Sequence, residues 1–157
     1  MSPRRAAVFI GNSIFGDDRI GLLTGENLKP RLEREGFDVH VIERTGFALL
    51  DCLEGYESAV IVDSICRGES PIGKVSSFSV KDFEAVKPAL PHYSGVPEAV
   101  KLMEELGMTV PQVSIIGINV GDPYDLSSEM AGDLNSMRDE ISEQVYAKIT
   151  RNCEKGA

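Results

Sequence analysis

Apolar residues in this chain gather into two kinds of run. Residues 6–11, AAVFIG, and 58–65, SAVIVDSI, are short and almost unbroken, the pattern of strands buried on both faces. Residues 37–44, FDVHVIER, alternate as a strand does, and 112–120, QVSIIGINV, supply another. In 73–80, GKVSSFSV, Val75, Ser77 and Ser79 stand against Ser76, Phe78 and Val80, a polar face that predicts an edge strand. Helical spacing appears over 20–35 through Ile20, Leu23, Leu28 and Leu32, with Pro30 expected to kink or split the helix. Over 97–106, Pro97 suits a first turn, Val100, Met103 and Leu106 are apolar, and Gly107 is a stop. Met130, Leu134, Met137, Ile141, Val145 and Ile149 step by three or four and predict a last helix, with Ser127 or Ser128 as its cap.

Strands alternating with helices predict an α/β fold, a three-layer α/β/α sandwich around a five-stranded, mostly parallel twisted sheet. The link CRGESPI between the third and fourth strands is too short for a parallel crossover, so strand four is expected to run antiparallel. At 157 residues the chain reads as a single domain over 1–157. Crossovers of uniform hand allow strands one and three to lie side by side. Asp17 and Asp18, just beyond strand one, would then face Asp63 at the carboxyl end of strand three, where such sheets collect their sites.

Composition narrows the partners. A formal net charge of -9 argues against a nucleic-acid backbone or an anionic membrane surface. No stretch approaches the ~20 apolar residues that span a bilayer, and the run in MSPRRAAVFIGN is too short for a signal-peptide core. Cys52, Cys66 and Cys153 are odd in number and widely spaced, as expected of reduced thiols in a cytoplasmic protein.

The candidate chemistry lies in residues 11–18, GNSIFGDD. A glycine-rich turn after a first strand usually cradles phosphate through backbone N–H groups, a helix N-terminus and often a lysine. This turn has no lysine and sets two carboxylates where the anion would sit. Carboxylates facing a third carboxylate suit a cation better. Of the two histidines, His40 reads as a strand residue, while His92 lies in the loop ALPHYSGVPEAV. Asp18, Asp63 and His92 together form an oxygen–oxygen–nitrogen set for a borderline divalent ion. The competing reading makes Asp17 and Asp18 caps of the first helix and Asp63 a strand-end turn residue.

Taken together, these stretches resemble the hydrogenase maturation endopeptidases, which trim the large subunit of NiFe hydrogenases. Gly11, Asn12, Asp17 and Asp18 match the family's G-N-x-x-x-x-D-[DE] turn, VIVDSI with Asp63 its third strand, and His92 in PHYSGV its histidine loop. The resemblance covers nearly the whole chain. It implies a mixed five-stranded sheet between helices and a hydrolase of aspartyl-type or metal-dependent endopeptidase class. Asp18, Asp63 and His92 become the catalytic and metal-contacting residues, with Gly11, Asn12, Gly16 and Asp17 shaping the loop or supporting it from behind. The implied partner is a nickel-loaded large-subunit precursor, and the cofactor is nickel belonging to that substrate, with Zn or Cd as surrogates. No nucleic acid or membrane insertion is implied, and the location is cytoplasmic. Two regions depart from the family. ERTGFALL keeps Thr45 and Gly46, candidate substrate-recognition residues, but lacks the aspartate and paired glycines of a D-G-G-T-x-G loop. NVGDPYD stands where many members have Pro-Glu. The rival classes are a flavodoxin-like nucleotide or flavin module and a non-cleaving hydrogenase assembly factor.

Overall fold

The computed structural model of the chain describes residues 3–13, 16–43, 47–68, 70–82, 96–121 and 132–155. Its strands are β1 (Arg5–Ile10), β2 (Phe37–Ile42), β3 (Ser58–Ile65), β4 (Val75–Phe78) and β5 (Gln112–Asn119). Its helices are α1 (Ile20–Arg34), α2 (Phe47–Leu53), α3 (Val96–Glu105), α4 (Gly132–Ser136) and α5 (Arg138–Lys155), with a 3-10 turn at Asp17–Arg19 before α1. One five-stranded sheet has the order β2-β1-β3-β5-β4. β2, β1, β3 and β5 are parallel neighbours, and β4 pairs antiparallel with β5 through Val75↔Ile118 and Phe78↔Ile115. The expected sheet, the adjacency of strands one and three, and the antiparallel fourth strand are all present.

Both faces of the central strands are buried, which explains their unbroken apolar runs. On one face Ala7, Phe9, Val60, Val62 and Ile116 pack with Leu28 and Leu32 of α1 and Ile141, Val145 and Ile149 of α5. On the other, Ala6, Val8, Ile61 and Ile115 pack with Leu49 and Leu53 of α2 and Ala99 and Met103 of α3. This is the three-layer arrangement. Helix α1 lies directly on β1: a Cβ at Gly21 would stand 1.9 Å from the Ile10 carbonyl oxygen, and one at Gly25 2.7 Å from Phe9 Cβ.

Four local expectations differ from the structure. Pro30 does not split α1, which runs unbroken through it. It sits on the exposed side, where a carbonyl that loses its helical partner is open to solvent rather than buried without one. The last helical pattern divides at Met137, whose N–H bonds the Leu134 carbonyl at 3.1 Å in a tightened turn before Ile141 resumes the α pattern on Met137 O at 2.8 Å. Met137 itself packs over Gly73. Leu106 is 60% exposed, beyond the end of α3, because Gly107 adopts φ +71 there and turns the chain away. Helix α2 forms where the sequence reading placed no element. The predicted caps Ser127 and Ser128, and Met130, lie outside the described residues.

Candidate functional site

From β1 the chain moves outward to β2, and from β3 it moves to the other half of the sheet, so the β1/β3 junction is the topological switch point of this fold. Ligands in open α/β sheets bind beyond the carboxyl ends of the strands at such a point. Asp18 and Asp63 are both found there. Asp63 is the sixth residue of β3, one step past the last registered pair Phe9↔Val62. Asp18 is the middle residue of the 3-10 turn that follows β1. Both are buried, at 2% and 3% exposure.

The loop from β1 delivers Asp18 through close backbone approaches. Asn12 N–H bonds the Asp18 carbonyl at 3.3 Å, and Gly11 N–H reaches Ile42 O at 3.2 Å. A Cβ at Gly11 would stand 2.5 Å from Asp18 O and 2.9 Å from Leu22 Cγ, so a side chain there would push the turn off the strand. Arg19 donates through Nε (2.8 Å) and Nη2 (2.6 Å) to Ser13 O, and Ser13 N–H meets Glu43 Oε1 at 2.9 Å, tying the loop to the end of β2. These are backbone contacts, and only at Gly11 does the residue type itself decide the fit. Gly16 is the N-cap of the 3-10 turn.

Asp17 does not take a capping position. Gly16 occupies the N-cap of the 3-10 turn and Arg19 that of α1, and neither makes a side-chain cap hydrogen bond. Asp17 is 7% exposed, and its Oδ2 lies near Gly121, 3.9 Å from where a Cβ there would stand. The Cys66 thiol, just past β3, donates to Gly121 O at 3.5 Å.

A residue that the sequence reading passed over sits between the two aspartates. Ser64, 2% exposed, donates its backbone N–H to Asp63 Oδ1 at 2.8 Å and its hydroxyl to Asp18 Oδ1 in a short contact. The signal available in sequence was slight: one polar residue interrupting the apolar strand after Asp63. Asn119, also buried, closes the neighbouring wall. It accepts Arg67 N–H at 2.7 Å and donates to Ser70 O at 2.8 Å and Pro71 O at 3.0 Å, fastening the β3–β4 connection to the end of β5.

His92, Thr45 and Gly46 lie outside the described residues. Among the described residues no group of three or more His, Cys, Asp and Glu side chains is placed to hold a metal ion. Asp18 and Asp63 nevertheless fit a divalent ion as the oxygen half of a donor set. His40 stands apart on β2: Tyr56 donates to Asp38 Oδ2 at 2.9 Å and meets His40 Nε2 at 3.0 Å. The single hydroxyl hydrogen goes to Asp38, so His40 Nε2 carries its own. It is a satisfied strand histidine. Cys52 and Cys66 are free thiols, and among the described residues no helix is long and apolar enough to cross a membrane.

No family profile matches the chain, and no curated protein matches it by sequence. Solved structures do. The NiFe hydrogenase maturation protease HybD from Thermococcus kodakarensis is 26% identical, with 92% of this chain and 97% of that one covered and a TM-score of 0.70. The hydrogenase-maturating endopeptidase HybD from E. coli is 18% identical over 95% and 93%, with a TM-score of 0.71. The maturation protease HycI from Thermococcus kodakarensis KOD1 is 20% identical over 91% and 90%, with a TM-score of 0.60. The chain has the α/β fold of the hydrogenase maturation proteases.

Proposed function

We propose that this chain is an endopeptidase that removes the C-terminal extension of a NiFe hydrogenase large-subunit precursor after nickel has been inserted. The observation that carries this reading is the burial of Asp18 and Asp63 together at the switch point, in a fold shared with structures that are maturation proteases. An anionic ligand such as a flavin or nucleotide phosphate would meet these two carboxylates there and be repelled, whereas a cation is attracted.

The chain's own contribution is docking and orientation. Asp18 and Asp63 contact the nickel carried by the precursor, and His92 adds the third contact. Two carboxylates and one imidazole leave coordination positions for groups of the precursor, which brings the scissile bond beside the site. A divalent ion held there would polarise the scissile carbonyl or lower the pKa of an attacking water. Zn or Cd substitutes for nickel in binding. Thr45 and Gly46 contact the precursor and help select it. The enzyme works in the cytoplasm, where its thiols stay reduced.

Incubation of purified protein with nickel-loaded precursor, followed by intact mass, tests the reading. Wild-type protein is expected to release the extension, and Asp18→Asn and Asp63→Asn to slow its release by about 100-fold with an unchanged circular dichroism spectrum. Variants that cut at the wild-type rate would overturn the assignment of the site.

A further inference from the structure

We infer that Ser64 is the positioning residue of the carboxylate pair, setting the orientation of both aspartates with two donors of a single residue. This rests on the reading of Asp18 and Asp63 as the residues that face the metal. Along β3, Val60 and Val62 face the α1 layer, whereas Ala59, Ile61 and Ile65 face the α2 layer. Ser64 falls in the first set and Asp63 in the second. The Ser64 hydroxyl therefore points toward the layer from which the 3-10 turn brings Asp18, and it bonds Asp18 Oδ1.

The Ser64 amide serves the other carboxylate. The β1–β3 ladder ends at Phe9↔Val62, and beyond that point the Ser64 N–H is taken by Asp63 Oδ1 at 2.8 Å. Asp63 thus bends around the strand edge, from the α2 side toward the gap above β1, while Asp18 reaches the same residue from the α1 side. Two buried carboxylates approaching from opposite faces repel each other, and a donor to each offsets part of that repulsion. Ser64 fixes one oxygen of each. Because the amide is backbone and survives any substitution, the hydroxyl is the adjustable part, and its effect falls on Asp18.

Partners of this kind, bonded to a metal-contacting carboxylate, typically govern affinity by 10–100-fold. Calorimetric titration of the protein alone with Cd2+ is the direct test, beside kcat and KM on nickel-loaded precursor. Ser64→Ala is expected to weaken Cd2+ about tenfold and to raise KM by a similar factor, with kcat changed less than about threefold. Ser64→Thr, which keeps the hydroxyl, should restore both to within about threefold of wild type. Should Ser64→Ala not fold, Ser64→Thr against Ser64→Val makes the same comparison, since the two share a shape and differ by the hydroxyl. Equal Cd2+ affinity in wild type and Ser64→Ala, or in the Thr and Val variants, would overturn the inference while Asp18→Asn still loses binding. If Asp18→Asn itself binds Cd2+ like wild type, the reading of the aspartates fails instead.

Discussion

At the scale of single residues, the positions of the two aspartates were legible because Asp18 comes after the apolar run of β1 and Asp63 after the run AVIV within β3. Ser64 was not. A lone serine inside a strand has no periodic signature, and its role appears only when strand register and the approach of the 3-10 turn are known together. For Asp17 it is the competing reading that fails: adjacent acids before a helix suggest capping, but the intervening 3-10 turn moves the caps to Gly16 and Arg19. The two histidines provide a paired test. His92→Ala should lose precursor cleavage, whereas His40→Ala should keep it, because His40 is engaged with Tyr56 on β2. His40 also carries a pH signature. Burial holds its pKa below the ordinary 6.5, aided by Lys29 and opposed by Asp38. The unfolded chain therefore takes up the proton first, so this residue's stabilisation is complete above the unfolded pKa and declines as pH falls through about 6.5, levelling off below the folded pKa. His40→Gln should flatten the Tm-versus-pH curve in that window and leave it unchanged above about pH 8, as differential scanning calorimetry would show.

At the scale of elements, strands were read well because burial on two faces leaves unbroken apolar runs, as in β3, where the predicted and observed bounds coincide at 58 and 65. Helices were less legible. Helix α2 has 7 residues, too few to display a 3.6-residue period. The division at Met137 comes from tertiary packing over Gly73, which no local pattern records. Pro30 was judged by propensity alone, although its exposure makes the missing hydrogen bond tolerable. Tolerable is not free of cost. Pro30→Ala restores an N–H donor within α1, and the larger entropy of the unfolded chain offsets part of that gain. It should raise stability by about 1–3 kcal/mol, read as a higher urea midpoint with an unchanged slope. Gly21→Ala should act in the opposite direction. Alanine favours a helix by up to about 1 kcal/mol, but its Cβ would stand 1.9 Å from Ile10 O. The net expectation is a loss of about 1–3 kcal/mol from overpacking. Because β1 leads into the loop that holds Asp18, cleavage should fall with it.

At the scale of the whole molecule, the sheet order brings together residues 45 positions apart in sequence, with Asp18 after β1 and Asp63 at the end of β3. The strand order also separates this chain from the flavodoxin pattern of 2-1-3-4-5, since β5 lies inside and the antiparallel β4 forms the edge. In the proposed function the buried carboxylates recognise nickel already seated in the precursor, so that nickel insertion is complete before the chain is cut. The most direct measurement compares cleavage of matched nickel-free and nickel-loaded precursors by intact mass, with and without zinc added to the protease. The C-terminal extension is expected to be lost from the loaded precursor alone, with no rescue of the nickel-free form by zinc. Efficient cutting of nickel-free precursor would contradict it.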